Sequence, residues 1–262
     1  MQKCSNNTGA CGWSDARSRK ELGGQMKGCS VFENEDMINA TGDTLRPGGF
    51  FLTDRAVKLC DFKANDKILD VGCGMGVTVK RLKSEYNLDA FGVDPSVKLL
   101  KIGEDKYGNH NIDFGHGEEL PHKDNYFDGV MAECTMSLMD DYKKTIMESH
   151  RVLKDKGFYI VSDVYARRPE YLEDVQKNEI NSCMRGLFDI DVLKDSIVSS
   201  GFEIICVEDW TNLLKQLMVE IIFKYGSMSK FWEIATCNSC GDFHQKLTLC
   251  KPGYFLIIAQ KK

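Results

Sequence analysis

The sequence predicts an α/β fold, a doubly wound sheet of seven mostly parallel strands, on three observations. From Lys67 onward, short apolar runs alternate with longer amphipathic ones, the pattern of a sheet covered by helices on both faces. One of those junctions carries Asp70-Val-Gly72-Cys-Gly74-Met-Gly76, a glycine-rich turn between a buried strand and a helix. The chain has 262 residues, 42% hydrophobic and 28% charged, which suits one large core with additions and needs no disulfide staples.

The elements follow in order. Residues 1–30 carry Cys4, Cys11 and Cys29 without apolar periodicity and read as an irregular arm, so 1–50 is expected to be an arm and lid and 51–262 the folded domain. Residues 39–49 (NATGDTLRPGG) are rich in turn formers, and Leu52–Cys60 has helical spacing, with Thr53 or the preceding loop as its start. Strands are expected at Ile68–Val71, Ala90–Val93, Ile112–Gly115, Gly129–Ala132, Phe158–Ser162, Phe202–Val207 and Tyr254–Ala259. Helices are expected at Val77–Tyr86, Val97–Lys106, Tyr142–Leu153, Glu170–Arg185 and Ile190–Ser199, with Gly157 as a left-handed terminator. Between the last two strands, Asp209–Gly253 is too long for a hairpin and holds a helical stretch, Leu213–Tyr225. It reads as an insertion covering a substrate.

The charge is −5, with 34 basic residues scattered among 39 acidic ones, so no phosphate-tracking surface and no nucleic-acid partner is expected. Without a long apolar run or a signal-type amino terminus, the expectation is a cytoplasmic protein with no membrane partner. Eleven cysteines, an odd number spread through predicted core elements, point to reduced thiols. Cys237-x-x-Cys240, with His244 and Cys250 nearby, has the donor types of a zinc or soft metalloid site, which the arm cysteines would complete. Structural zinc sites of this kind supply two matched pairs and only one C-x-x-C pair is present, which favours unliganded thiols.

The glycine loop narrows the ligand. Dinucleotide enzymes use G-x-G-x-x-G, in which the third glycine lets helix and strand approach. Here the spacing is G-x-G-x-G with Val77 beyond it, which disfavours a nicotinamide oxidoreductase. Asp94 ends the next strand, 22 residues after Gly72, where a carboxylate accepts both ribose hydroxyls.

The segments ILDVGCGMG, FGVDPS, GHGEELP, NYFDGVMAE and HRVLKDKGFYIVSD resemble, in succession, the motifs of the small-molecule class I S-adenosylmethionine-dependent methyltransferases. This is the methyltransferase type 11 set that includes quinone-biosynthesis and arsenite methyltransferases. The resemblance covers Leu45–Ser162 and the closing strand. It implies a Rossmann-like fold with an antiparallel last strand, the cofactor S-adenosylmethionine with S-adenosylhomocysteine as product, and a small-molecule acceptor.

It also implies roles. Gly72, Cys73 and Gly74 would meet the cofactor through backbone, Asp70 its amino-acid end, Asp94 the ribose and Pro95 the adenine edge. Gly117 and Glu118 would approach the adenine amino group beside His116, where the family commonly has aspartate; a neutral imidazole nitrogen accepts the same bond. Ala132 and Glu133 would sit beside the methionine moiety, with Cys134 near the substrate. Arg46, Gly48 and Gly49, with Thr44 and Leu45, would form a lid. Glu133 in an apolar strand end needs a partner, and the cofactor's ammonium is one. Methyl transfer requires a general base only if the acceptor must lose a proton; Glu133, His150 and His122 are the candidates. A thiol-based metal or metalloid binding protein on the same fold, or a metalloid or thiol methyltransferase, is the alternative. Ala132-Glu-Cys-Thr135 is not an Asn-Pro-Pro type tetrapeptide, which argues against a macromolecular acceptor.

Overall fold

The computed structural model describes residues 31–33, 38, 42–44, 46–108, 111–178, 182–235 and 242–262. The arm with Cys4, Cys11 and Cys29, Leu45, and the Cys237/Cys240 pair lie outside the described residues. In chain order the elements are α1 (Phe51–Cys60), β1 (Lys67–Val71), α2 (Val77–Tyr86), β2 (Asp89–Asp94), α3 (Val97–Tyr107), β3 (Ile112–Phe114), β4 (Phe127–Glu133) and α4 (Tyr142–Val152). Then come β5 (Leu153–Ala166), α5 (Leu172–Gln176), α6 (Ile190–Ser199), β6 (Phe202–Asp209), α7 (Thr211–Tyr225), α8 (Met228–Ala235), α9 (Phe243–Cys250) and β7 (Pro252–Lys261).

The strands form one seven-stranded sheet in the order β3-β2-β1-β4-β5-β7-β6, with only β7 running against its neighbours. Side chains alternate across it as the period of two requires. Ile68, Met131, Ile160 and Ile258 face α1, α2 and the 211–250 helices, whereas Leu69, Val130, Val161 and Ile257 face α4 and α6. Both faces are therefore dry, which is why the strands read as apolar runs. The chain order reverses between β1 and β4, so the crevice at their carboxyl ends is the switch point where such sheets bind ligands. Among the described residues no helix is long and apolar enough to cross a membrane.

The expected strands are present and mostly longer; β5 runs from Leu153 to Ala166 because β7 pairs with it as far as Ala166. Two expectations need correction, and a third is narrowed. Gly157 does not terminate α4. That helix gives way directly to β5 at Leu153, and the left-handed residue is Lys156 (φ 65°), inside a bulge where Phe127 pairs with Leu153 but Gly129 with Phe158. Of the two starts expected for α1, the preceding loop holds: Phe50 precedes the helix, and Thr53 lies inside it, turned into the site. Glu170–Arg185 is not one helix. Among the described residues of that range a 3-10 turn (Pro169–Tyr171) and α5 are the helical elements, and Gly186 lies on the segment after β4, where a Cβ on it would stand 1.8 Å from the Ser137 carbonyl oxygen. The insertion is helical as expected, through α7, α8 and α9.

Candidate active site

β1 ends at Val71, and the Gly72 and Cys73 amides bond the Val93 carbonyl at 2.8 and 3.1 Å, which ties the glycine loop to β2. Gly72, Gly74 and Gly76 all adopt left-handed backbone (φ 74°, 54° and 76°). At Gly72 a Cβ would stand 1.9 Å from Thr135 Oγ1, so only glycine lets the loop lie against the segment that follows β4. The result is bare backbone between the ends of β1, β2 and β4.

Around that loop the strand ends present carboxylates. Asp94 is buried; its Oδ2 accepts the Gly74 amide and its Oδ1 the Ser96 amide, both at 2.8 Å. Burial raises its pKa, which these two amides oppose. Each oxygen keeps a lone pair for a further donor. Asp70 is buried at the end of β1, and its pKa is pushed up to about 8, first by burial and then by Glu133, with Arg46 opposing.

Glu133 has partners within the chain itself. Arg46 Nη2 lies 2.9 Å from its Oε2, and the Thr53 hydroxyl donates to both oxygens at 3.0 and 3.1 Å. Arg46 also donates to Thr53 Oγ1 (2.7 Å), Thr78 Oγ1 (3.1 Å) and the Gly49 carbonyl (3.0 Å). Burial raises the pKa of Glu133, against the pull of Arg46 and Thr53. Gly48 and Gly49 are left-handed (φ 73° and 59°), and Gly48 is pressed against Leu213 of α7, so the insertion backs the Arg46 segment.

Other expected residues divide. Ala132 is fully buried beside Glu133; Pro95 is half-buried after Asp94. Gly117 is buried against Met139, while Glu118 Oε1 accepts the Asp140 amide (3.0 Å), so that oxygen is committed to the loop before α4. His116 is exposed and edge-on to Phe114. Cys134 is buried with left-handed backbone (φ 60°) and touches Cys183 and Tyr254; contact with the Cys183 thiol and burial raise its pKa well above the ordinary thiol value.

The structure removes two of the base candidates. His122 packs on Phe127, the first residue of β4, and six strand steps separate that end from Glu133, about 20 Å. His150 packs on Phe202, which pairs with Lys261 at the same far edge. The sequence reading missed Asp163, Tyr254 and Cys183. Asp163 is fully buried in β5 and holds the Ser137 amide (2.9 Å) and hydroxyl (2.7 Å) and the Val164 amide (2.7 Å). Its signal was the one that exposed Glu133, a carboxylate in an apolar strand. Among the described residues no group of three or more His, Cys, Asp or Glu side chains could hold a metal ion.

Residues 69–161 match a methyltransferase domain model. A Streptomyces halstedii methyltransferase, GfsG, is 26% identical over 178 residues, 64% of this chain and 63% of that protein. Among solved structures, the [4+2]-cyclase SpnF is 26% identical with a TM-score of 0.61, covering 80% of each chain. A Haemonchus contortus phosphoethanolamine N-methyltransferase in complex with S-adenosyl-L-methionine has a TM-score of 0.66 at 20% identity, covering 88% of this chain and 56% of that one. The chain thus spans less than two thirds of the length of the Streptomyces and Haemonchus proteins. With the strand order, these matches show that the chain carries a methyltransferase domain on a Rossmann-like, doubly wound sheet.

Proposed function

We propose that this protein transfers the methyl group of S-adenosylmethionine to a small-molecule acceptor by in-line displacement. The observation that carries the reading is the bare left-handed glycine loop enclosed by buried Asp70 and Asp94 at the sheet's switch point. Gly72, Cys73 and Gly74 offer backbone without a Cβ in the way, and the loop faces no phosphate-binding helix glycine. Asp94 retains acceptor capacity for two ribose hydroxyls, and Asp70 is placed for the ammonium of the amino-acid end. Pro95, His116, Gly117, Glu118 and Ala132 complete the assignment around the adenine and methionine moieties. Arg46, Gly48 and Gly49 form the lid, and residues 1–50 as a whole are the arm and lid of the 51–262 domain.

The cofactor, when bound, supplies an electrophilic methyl on sulfonium sulfur. What the chain's own residues contribute is alignment and exclusion of water, so no nucleophilic side chain is required. The segment 46–50, backed by Leu213 of α7, lies against the carboxyl end of β4 through Arg46, where Asp70 and Glu133 are buried.

Calorimetric titration with S-adenosylhomocysteine tests this directly. Saturable binding is expected, with Asp94→Ala weakening it about 100-fold through loss of two charge-assisted hydrogen bonds. No heat and no thermal shift with either S-adenosylmethionine or S-adenosylhomocysteine would sink the reading.

A further inference from the structure

The Arg46–Glu133 pair is unlike the other arginine pairs near it. Arg55 and Arg81, on α1 and α2, meet the partly exposed carboxylates of Glu208 and Asp54. The side chains of Arg46 and Glu133 are 5% and 2% exposed, and Arg46 comes from a turn with left-handed glycines rather than from a helix or strand. A fully enclosed ion pair adds little net stability, because desolvation offsets the attraction. Its place is also telling. It lies at the carboxyl end of β4, one strand from Asp70 and the glycine loop, not in the apolar core.

The groups facing Glu133 are Arg46, Thr53 and Asp54 from the lid turn and α1, Asp70 from β1 and Tyr254 from β7. With Asp70 and Asp94 assigned to the cofactor, and Asp163 committed to the Ser137 amide and hydroxyl and the Val164 amide, Glu133 is the carboxylate left at this edge for the other substrate. We infer that Glu133 is a cation-binding carboxylate on the acceptor side of the site, that Arg46 is its displaceable resident occupant, and that the acceptor is a protonated amine or guanidine. The inference rests on the methyltransferase reading above.

The guanidinium of Arg46 then marks where the acceptor's charged nitrogen goes. Its present partners, one carboxylate and the neutral oxygens of Thr53, Thr78 and Gly49, are those a planar or tetrahedral N–H donor set would inherit. The protonated nitrogen first gives a proton to the Glu133 carboxylate, whose burial favours taking it up. The lone pair so freed forms the N–CH3 bond as the S–CH3 bond breaks, and the electron pair of the broken bond stays on sulfur as a neutral thioether.

The test titrates agmatine (an alkyl guanidine) and putrescine (an alkyl diamine) into the S-adenosylhomocysteine complex, with N-acetylputrescine to remove one charge. The wild-type complex should bind both cations saturably in the millimolar range or tighter. Glu133→Gln should weaken this at least tenfold while changing S-adenosylhomocysteine affinity less than threefold. Arg46→Met, which keeps the side-chain volume, should tighten it about tenfold, and Arg46→Lys, which keeps the charge should Arg46→Met not fold, should give a smaller gain. If the wild-type complex takes up no cation and only the Arg46 variants do, the pair is a permanent part of the core and the inference falls. If Glu133→Gln weakens S-adenosylhomocysteine as much as agmatine, the cation at Glu133 is the cofactor's own ammonium, and the acceptor assignment is overturned. Failure of S-adenosylhomocysteine to bind at all strikes the methyltransferase reading instead; the same cation titrations on the free protein still decide the role of Glu133.

Discussion

At the far edge of the sheet, where β4 and β5 begin, Lys261 sets its ammonium on Asn125 Oδ1 (2.9 Å) and on the carbonyls of His150 (2.9 Å) and Leu153 (2.7 Å). Nearby, Lys154 meets Asp128 and Arg151 meets Glu148 and Asp124, all with water within reach. The opposite edge is built differently. There Asp70, Asp94, Glu133 and Asp163 are all buried, and burial raises the pKa of each, Asp163 to about 6. Charges at the first edge are matched or hydrated and hold the chain in place. At the second, buried carboxylate outweighs the cation supplied by Arg46, a surplus that a cationic ligand would relieve.

The largest effect expected from this difference is a dependence of stability on pH. The pKa of Asp70 is about 8 in the folded protein and about 3.8 when unfolded, so the folded state holds its proton more tightly. Its favourable contribution is fully present below about pH 4 and is lost as pH rises through about 8. Burial of Glu133 and Asp163 acts in the same direction, so Asp70→Asn isolates one share. Urea denaturation of the ligand-free protein should show stability falling from pH 5 to pH 8, less steeply in Asp70→Asn. If the cofactor's ammonium meets Asp70 as proposed, S-adenosylhomocysteine binding at pH 7 should release up to about one proton, read from calorimetry in buffers of different ionisation enthalpy. A flat pH profile with no proton release would show that the carboxyl edge carries no such surplus.

Next comes the backbone of that edge. Gly72→Ala would require a Cβ 1.9 Å from Thr135 Oγ1 in a left-handed conformation, a cost of about 3 kcal/mol in overpacking and strain. Pairing it with Thr135→Gly should recover the overpacking share but not the strain. An additive double variant would mean that loop and β4 segment do not in fact meet.

How much of this was legible in the sequence follows from how local each cause is. The strands and the glycine loop were readable because apolar runs and Gly72-x-Gly74-x-Gly76 state their own geometry. Asp94 was readable from its distance to that loop. The partner of Glu133 was not, since Arg46 lies 87 positions earlier in a turn with no period, and only the folded sheet brings the two together. Asp163 was passed over inside VSD, although the clue that singled out Glu133 applied to it. Gly157 misled because the left-handed residue is its neighbour Lys156, in a bulge fixed by pairing with β4 rather than by the helix before it. The long helix expected at Glu170–Arg185 fails for a tertiary reason too, since Gly186 must reach the Ser137 backbone.

The smallest effect sharpens the comparison from the far edge. Lys261→Met keeps most of the buried stem of the side chain but leaves the Asn125 oxygen and two carbonyls without their shared donor. The His150 and Leu153 carbonyls lie where α4 hands over to β5, so the loss should appear as about 2 kcal/mol of stability, measured by the urea midpoint. Because β4 separates this edge from the glycine loop by about 20 Å, S-adenosylhomocysteine affinity should stay within twofold of wild type. A variant that lost affinity along with stability would show that the two edges share one cooperative unit and that the ligand end is not specialised. A variant that lost only stability would place the scaffold's charge contacts at one end of the sheet and its ligand contacts at the other.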